Sequence, residues 1–231
     1  MFDAVAAEKR LKERWGDLTS FVTEDVRQKW WNRFVAAYKD RPFTGYRQLT
    51  RMFTEFDHHK DVLKDRYAFA FAVFFKKLAA PMDAAITYGT GQADNPEKSA
   101  ELLREFCQDT TFDQENHVAD LILGAGKGSC EANLTEGASG DDDLHYLIDF
   151  DLAFLGDDPS SFIESECAMR SEYRSITDAD YAAMRLKTLK FFIQIPNIYI
   201  TTALRDQYEQ KARTNISNEI AALEAGTRKY E

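Results

Sequence analysis

Apolar residues recur at helical spacing along almost the whole chain, and this period restricts the fold more than any other feature. Val26, Trp30, Phe34 and Tyr38 stand four apart, with Trp31 and Val35 beside them, so residues 24–40 form one apolar stripe on a helix. Residues 3–15 are rich in the good helix formers Ala, Glu, Lys and Leu. Further helices are predicted over 45–57 and 61–79, the second stopped by Pro81. Asn95-Pro96-Glu97 reads as an N-cap, a proline at the first helical position and an acid in the first turn of a helix over 96–107. Helices over 113–123, 141–155, 159–174, 178–194 and 198–225 follow, with Thr177 and Asp180 as a capping box and Pro196 as the last break. No hairpin dipeptide, strand-like alternation or repeat interrupts the pattern. The expectation is an all-α chain of roughly eight to ten helices in a single domain over 1–231, its core about 10–222. The glycine-rich stretch 126–143 is read as a surface loop, its polar part about 126–141.

Composition narrows the function. The 231 residues are 44% hydrophobic, with 17 Phe, 10 Tyr and 3 Trp, so a buried core is expected rather than disorder. Acids outnumber bases 39 to 29, and the net charge of −10 repels phosphate backbones, which argues against direct nucleic-acid binding. Three cysteines, an odd number with no CxxC pair, suit a reducing compartment better than a disulfide scaffold. The expected location is intracellular, in cytoplasm or an organelle matrix, including the mitochondrial matrix where a presequence has been removed. No apolar run is long enough to predict a transmembrane segment.

Few side chains offer chemistry. His58 and His59 sit among Asp57, Lys60 and Asp61 at a polar helix junction, and adjacent helical residues point about 100° apart, which suits a solvated turn better than chelation. His117 and His145 stand alone and read as structural. Asp149 and Asp151 lie in the apolar run HYLIDFDLAFLG, where an acid must be paired, protonated or metal-bound. Their two-residue spacing sends them to different faces, so one surface acid and one structural ion pair is the competing reading. LGAGKGSC lacks both the Walker spacing and a preceding strand, and reads as a glycine-ended helix rather than a phosphate loop.

In FAVFFKKLAAP, residues 71–81, Lys76 and Lys77 put two charges directly after a dense apolar run. A helix C-terminus favours cations, and lysine can carry its head out to water. A second explanation comes from segments spread over nearly the whole chain: RWGDL at 14–18, PFTGYRQLTRM at 42–52, AVFFKKL at 72–78, DNPEKSAELL at 94–103, LIDFDLAFLG at 147–156, MRSEYRSITDADY at 169–181, NIYIT at 197–201 and YEQKARTNISNEI at 208–220. In this order, and with DxDLxxLG, RxEY and ExxARxN together, the chain resembles the predicted HD-superfamily metal-dependent phosphohydrolases, a bacterial group of similar length and all-α fold.

The resemblance implies a metal site whose ligands this chain lacks. A histidine would follow Tyr46, with another four residues on; here those positions hold Arg47 and Arg51. The signature His-Asp pair would follow Phe74-Phe75; here it is Lys76-Lys77. A later threonine and histidine are Ala125 and Gly128, and only the late aspartate remains, as Asp151 with Asp149 beside it. Arginine has no lone pair to give a metal, and protonated lysine has none. The resemblance therefore implies a chain with no catalytic residues, no metal and no cofactor. One of the four cations is expected within salt-bridge reach of Asp149 or Asp151. Asn95, Glu97, Ser99 and Ala100 match a family segment near the pocket, which helix capping explains equally well, and Arg170, Glu172, Tyr173, Arg185, Tyr199, Glu209, Arg213 and Asn215 also match and read as a polar framework.

Three functions follow. The first is an inactive HD-type pseudoenzyme serving as a structural or protein-interaction subunit of a larger complex, with Trp30, Trp31, Phe53 and Phe56 as candidate contacts and the acidic loop 136–143 facing a basic partner. The second is a sensor that binds a phosphate or nucleotide at the cationic former active site. The third is a phosphohydrolase with relocated ligands drawn from Asp149, Asp151, Glu97 or His145.

Overall fold

Helix formation follows the apolar period closely. The computed structural model describes residues 2–81 and 95–230, and among these there are eleven α-helices and no strand. The all-α expectation holds, with one helix more than the range predicted. Asp94, at the head of the 94–103 segment, lies outside the described residues. No described helix is long and apolar enough to cross a membrane. The chain divides into two compact units, 1–128 and 129–231.

The first unit contains α1 (Ala4–Leu18), α2 (Glu24–Tyr38), α3 (Tyr46–His59), α4 (Arg66–Phe75), α5 (Pro96–Gln108) and α6 (Glu115–Ala125). Its core is aromatic and centres on Trp15, whose ring lies 4.8 Å from Phe34, 5.3 Å from Phe74 and 5.6 Å from Phe106. From Ala68 to Phe75, α4 is buried on every face, as expected of a helix apolar all round. Its start is set by Asp65, whose side chain accepts the N–H groups of Tyr67 and Ala68. The helix predicted over 61–79 is therefore shorter at both ends. Trp30, Trp31, Phe53 and Phe56 are 0%, 4%, 3% and 7% exposed, so the four proposed contact residues belong to this core. Burying such rings is worth about 2–3 kcal/mol each, which outweighs holding them out for a partner.

Asn95 stands where a cap was predicted but makes no side-chain capping bond; it takes the left-handed conformation, φ 46°, before Pro96. Asparagine is one of the few residues that tolerates this region.

The second unit contains α7 (Glu131–Leu134), α8 (Asp143–Leu152), a 3-10 turn (Ala153–Gly156), α9 (Pro159–Arg170), α10 (Asp178–Gln194) and α11 (Thr202–Glu224). The short α7 is the extra helix and falls within the stretch read as loop. Thr177 caps α10 by accepting the Asp180 N–H at 3.1 Å, as its sequence predicts. The 3-10 turn packs on α11 so closely that a Cβ on Gly156 would meet Tyr208 Cβ at 2.6 Å. The helix predicted over 198–225 begins only at Thr202, and residues 195–201 run as a non-helical strap that is buried except at Pro196.

Candidate functional site

Arg47 and Arg51 occupy one face of α3, four residues apart, and both are half-buried. The Arg47 guanidinium lies 5.2 Å from the centre of the Phe2 ring. Helix α3 packs on α4 through Phe53 and Phe74, whose rings are 4.9 Å apart. Lys76 directly follows α4, its N–H bonded to Ala72 O at 2.8 Å. Its side chain does not reach water: the residue is 2% exposed. A helix C-terminus stabilises a cation by about 1 kcal/mol, whereas desolvating an ammonium costs several, so the dipole alone does not hold Lys76 there. Lys77 is half-buried, and its carbonyl accepts Arg41 Nη1 at 2.7 Å while Arg41 Nη2 donates to Ala80 O. Arg47, Arg51, Lys76, Lys77 and Asp151 are each engaged by neighbouring groups.

A groove of about 960 Å³ lies elsewhere in this unit, among α1, α3 and α4, where Arg14 sits 4.6 Å over Phe53 and pairs with Asp57 at 2.5 Å. None of the four cations lines it. Glu97 is exposed in the first turn of α5.

The two acids of LIDFDLAFLG separate by face, as their spacing predicts. Asp151 is half-buried. Asp149 is fully buried, and both its oxygens are taken: Oδ1 accepts the Ile200 N–H at 2.8 Å, and Oδ2 accepts the Thr201 N–H and hydroxyl, each at 2.8 Å. Burial raises its pKa to about 7, against the opposing pull of those three hydrogen bonds and of Arg205. The four cations belong to the first unit and both aspartates to the second.

Asp149 is one member of a set of side chains that satisfies the strap's backbone. Glu209 accepts the N–H groups of Ile198 and Tyr199, each at 3.1 Å. Asn133 Nδ2 donates to Asn197 O and Ile198 O, and Asn133 O accepts the Asn197 N–H. Arg213 donates to Ile195 O and Pro196 O, and Arg205 to Tyr199 O and Ile200 O. From Asn197 to Thr201 every N–H thus has a partner on a neighbouring helix, without joining a helix or sheet of its own, which is what allows irregular backbone to be buried. The Tyr199 hydroxyl donates to Leu152 O, and Asn215 donates to Leu155 O and Asp157 O, tying in the 3-10 turn.

Behind these lies a buried ion pair in which Arg185 donates to both oxygens of Glu166. Arg170 fastens the turn before α10 through Tyr173 O, Ile176 O and Asp178. Tyr199, Glu209, Arg213, Asn215, Arg170 and Arg185, read from sequence as a polar framework, act as one within this unit. Asn133, Asn197 and Arg205 were missed. The signal for them was the run of aromatic and β-branched residues after Pro196, ended by Thr201, a good N-cap.

The histidines are accounted for locally. His145 Nδ1 accepts the Asp142 N–H at 3.1 Å, so it caps its own helix. His58 and His117 are exposed, and His59 Nδ1 lies 3.0 Å from Glu55 O. Among the described residues no group of three or more His, Cys, Asp or Glu side chains is placed to hold a metal ion. The residues at the positions implied by the resemblance do not fit a divalent ion, since guanidinium and ammonium groups offer no lone pair. Comparison with models of protein families, with curated proteins and with solved structures finds no match.

Proposed function

We propose that this chain is a degenerate relative of the HD-superfamily phosphohydrolases, catalytically inactive, and used as a structural or protein-interaction subunit of a larger assembly. The observation that carries this reading is Lys76, a lysine buried at the end of α4 where the resemblance implies half of the signature metal-binding pair. A buried ammonium repels a divalent cation instead of ligating it. Arg47, Arg51 and Lys77 change three more of the implied positions in the same direction.

The retained residues support the same reading. Asp149, Glu209, Arg213 and Asn215 spend their hydrogen-bonding capacity on the backbone of the strap and the 3-10 turn. Such residues would persist for folding alone after the loss of chemistry.

The test is a screen of phosphomonoester and phosphodiester hydrolysis by the full chain with magnesium, manganese, zinc and iron in turn. The expected result is no turnover above that of Asp151→Ala. Turnover abolished by that substitution would overturn the proposal.

A further inference from the structure

The groove of about 960 Å³ in the first unit runs along two helices. Arg10, Arg14 and Asp17 line it from α1, and Thr50, Thr54 and Asp57 from α3, each set spaced by three or four residues. Such spacing keeps a row on one helix face, so the groove follows both axes for about 10 Å. Buried Phe53 and Phe56 form its floor, with the Arg14 guanidinium over both rings.

Tyr67 joins this groove to an exposed aromatic shelf. It lines the groove and is 39% exposed, and Phe21, 42% exposed, has its ring centre 6.4 Å away. Phe112 backs both rings, 6.3 Å from Phe21 and 6.1 Å from Tyr67. Neighbouring exposed aromatic rings mark a contact surface, and Tyr, Phe and Arg are enriched where proteins meet.

The charges of the groove are unevenly used. Asp57 is taken by Arg14, and Glu13 lies 4.0 Å from Lys9, outside the groove. Arg10, Lys60 and Arg66 line the groove and form no ion pair among the described residues; Asp17 is the one lining acid in the same position. Asp113, close enough to act on the Tyr67 hydroxyl, does not line the groove.

Taking the chain as an interaction subunit, we propose that groove and shelf together dock an acidic amphipathic helix of a protein partner. The apolar stripe of that helix packs on Phe21 and Tyr67, and its carboxylates pair with Arg10, Lys60 and Arg66. Three uncommitted cations against one uncommitted acid favour an acidic segment over a basic one. A nucleic acid is disfavoured by Asp17, by Asp57 and by the net charge of −10.

The experiment follows the fluorescence anisotropy of a labelled peptide of about four helical turns, with leucine and phenylalanine on one face and glutamate on the other, added to the full chain. Saturable binding is expected, weakened steeply by salt. The same peptide with lysine for glutamate, or with its sequence scrambled, should bind at least ten-fold more weakly. Lys60→Glu, Arg66→Glu and Phe21→Ser, all at exposed positions, should each lower the affinity about five- to ten-fold. Lys187→Glu, on α10 of the second unit, should leave it unchanged. No saturable binding, equal affinity for the lysine peptide, a single-stranded oligonucleotide bound more tightly than the acidic peptide, or affinity unmoved in all three variants of this surface would each overturn the proposal. The hydrolysis screen reads the loss of catalysis separately, so a failure of docking leaves that result standing.

Discussion

Asp149 holds Thr201 by both its N–H and its hydroxyl, each at 2.8 Å, across 52 residues of chain. Thr201 is also the N-cap of α11, receiving the Leu204 N–H. One buried carboxylate therefore ends the strap and starts the longest helix. Asp149→Ala leaves two backbone N–H groups and a hydroxyl without their acceptor in the interior. The expected loss is about 2–4 kcal/mol, measured at pH 5 by urea denaturation.

The same carboxyl group sets a pH dependence. Burial raises its pKa from 3.8 to about 7, so the folded chain binds this proton more tightly than the unfolded chain does. Between those values the folded state carries more protons, and stability from this group falls as pH rises, levelling off above about 7. At about 1.4 kcal/mol per pKa unit the fall amounts to a few kcal/mol at most. Urea midpoints of wild type and Asp149→Ala should therefore converge between pH 5 and pH 7.5. A gap that widens with pH would contradict the assignment.

Arg185 and Glu166 form the most deeply buried ion pair described, 6% and 0% exposed at their side chains. Glu166→Gln strands a guanidinium charge and should cost about 3–5 kcal/mol. The double variant Glu166→Leu with Arg185→Met removes both charges and should lose clearly less than either single change. Denaturation of the four proteins in a double-mutant cycle measures the coupling.

How much of this was legible in the sequence depends on where each residue's partners come from. Helices with a local apolar stripe, such as α2, or a local cap, such as α10, fall within two residues of the ends read from sequence. NIYIT was misread as helix because its backbone partners, Asn133, Asp149, Arg205 and Glu209, come from other elements that no local window contains. Trp30, Trp31, Phe53 and Phe56 looked available for contacts because a stripe broader than one helix face does not reveal how many neighbours will cover it. Lys76 differs again: a helix end usually lets a lysine reach water, and the dense apolar run before it was the local sign that this one is buried.

The identity of the side chains at the implied ligand positions is the centre of the proposal, and metal stoichiometry tests it most directly. The purified full chain would be equilibrated with magnesium, manganese, iron and zinc, cleared of free ion, and assayed by plasma mass spectrometry. Arg47, Arg51, Lys76 and Lys77 predict a metal content well below one ion per chain, unchanged by Asp151→Ala. One tightly held ion per chain, lost in that variant, would contradict it.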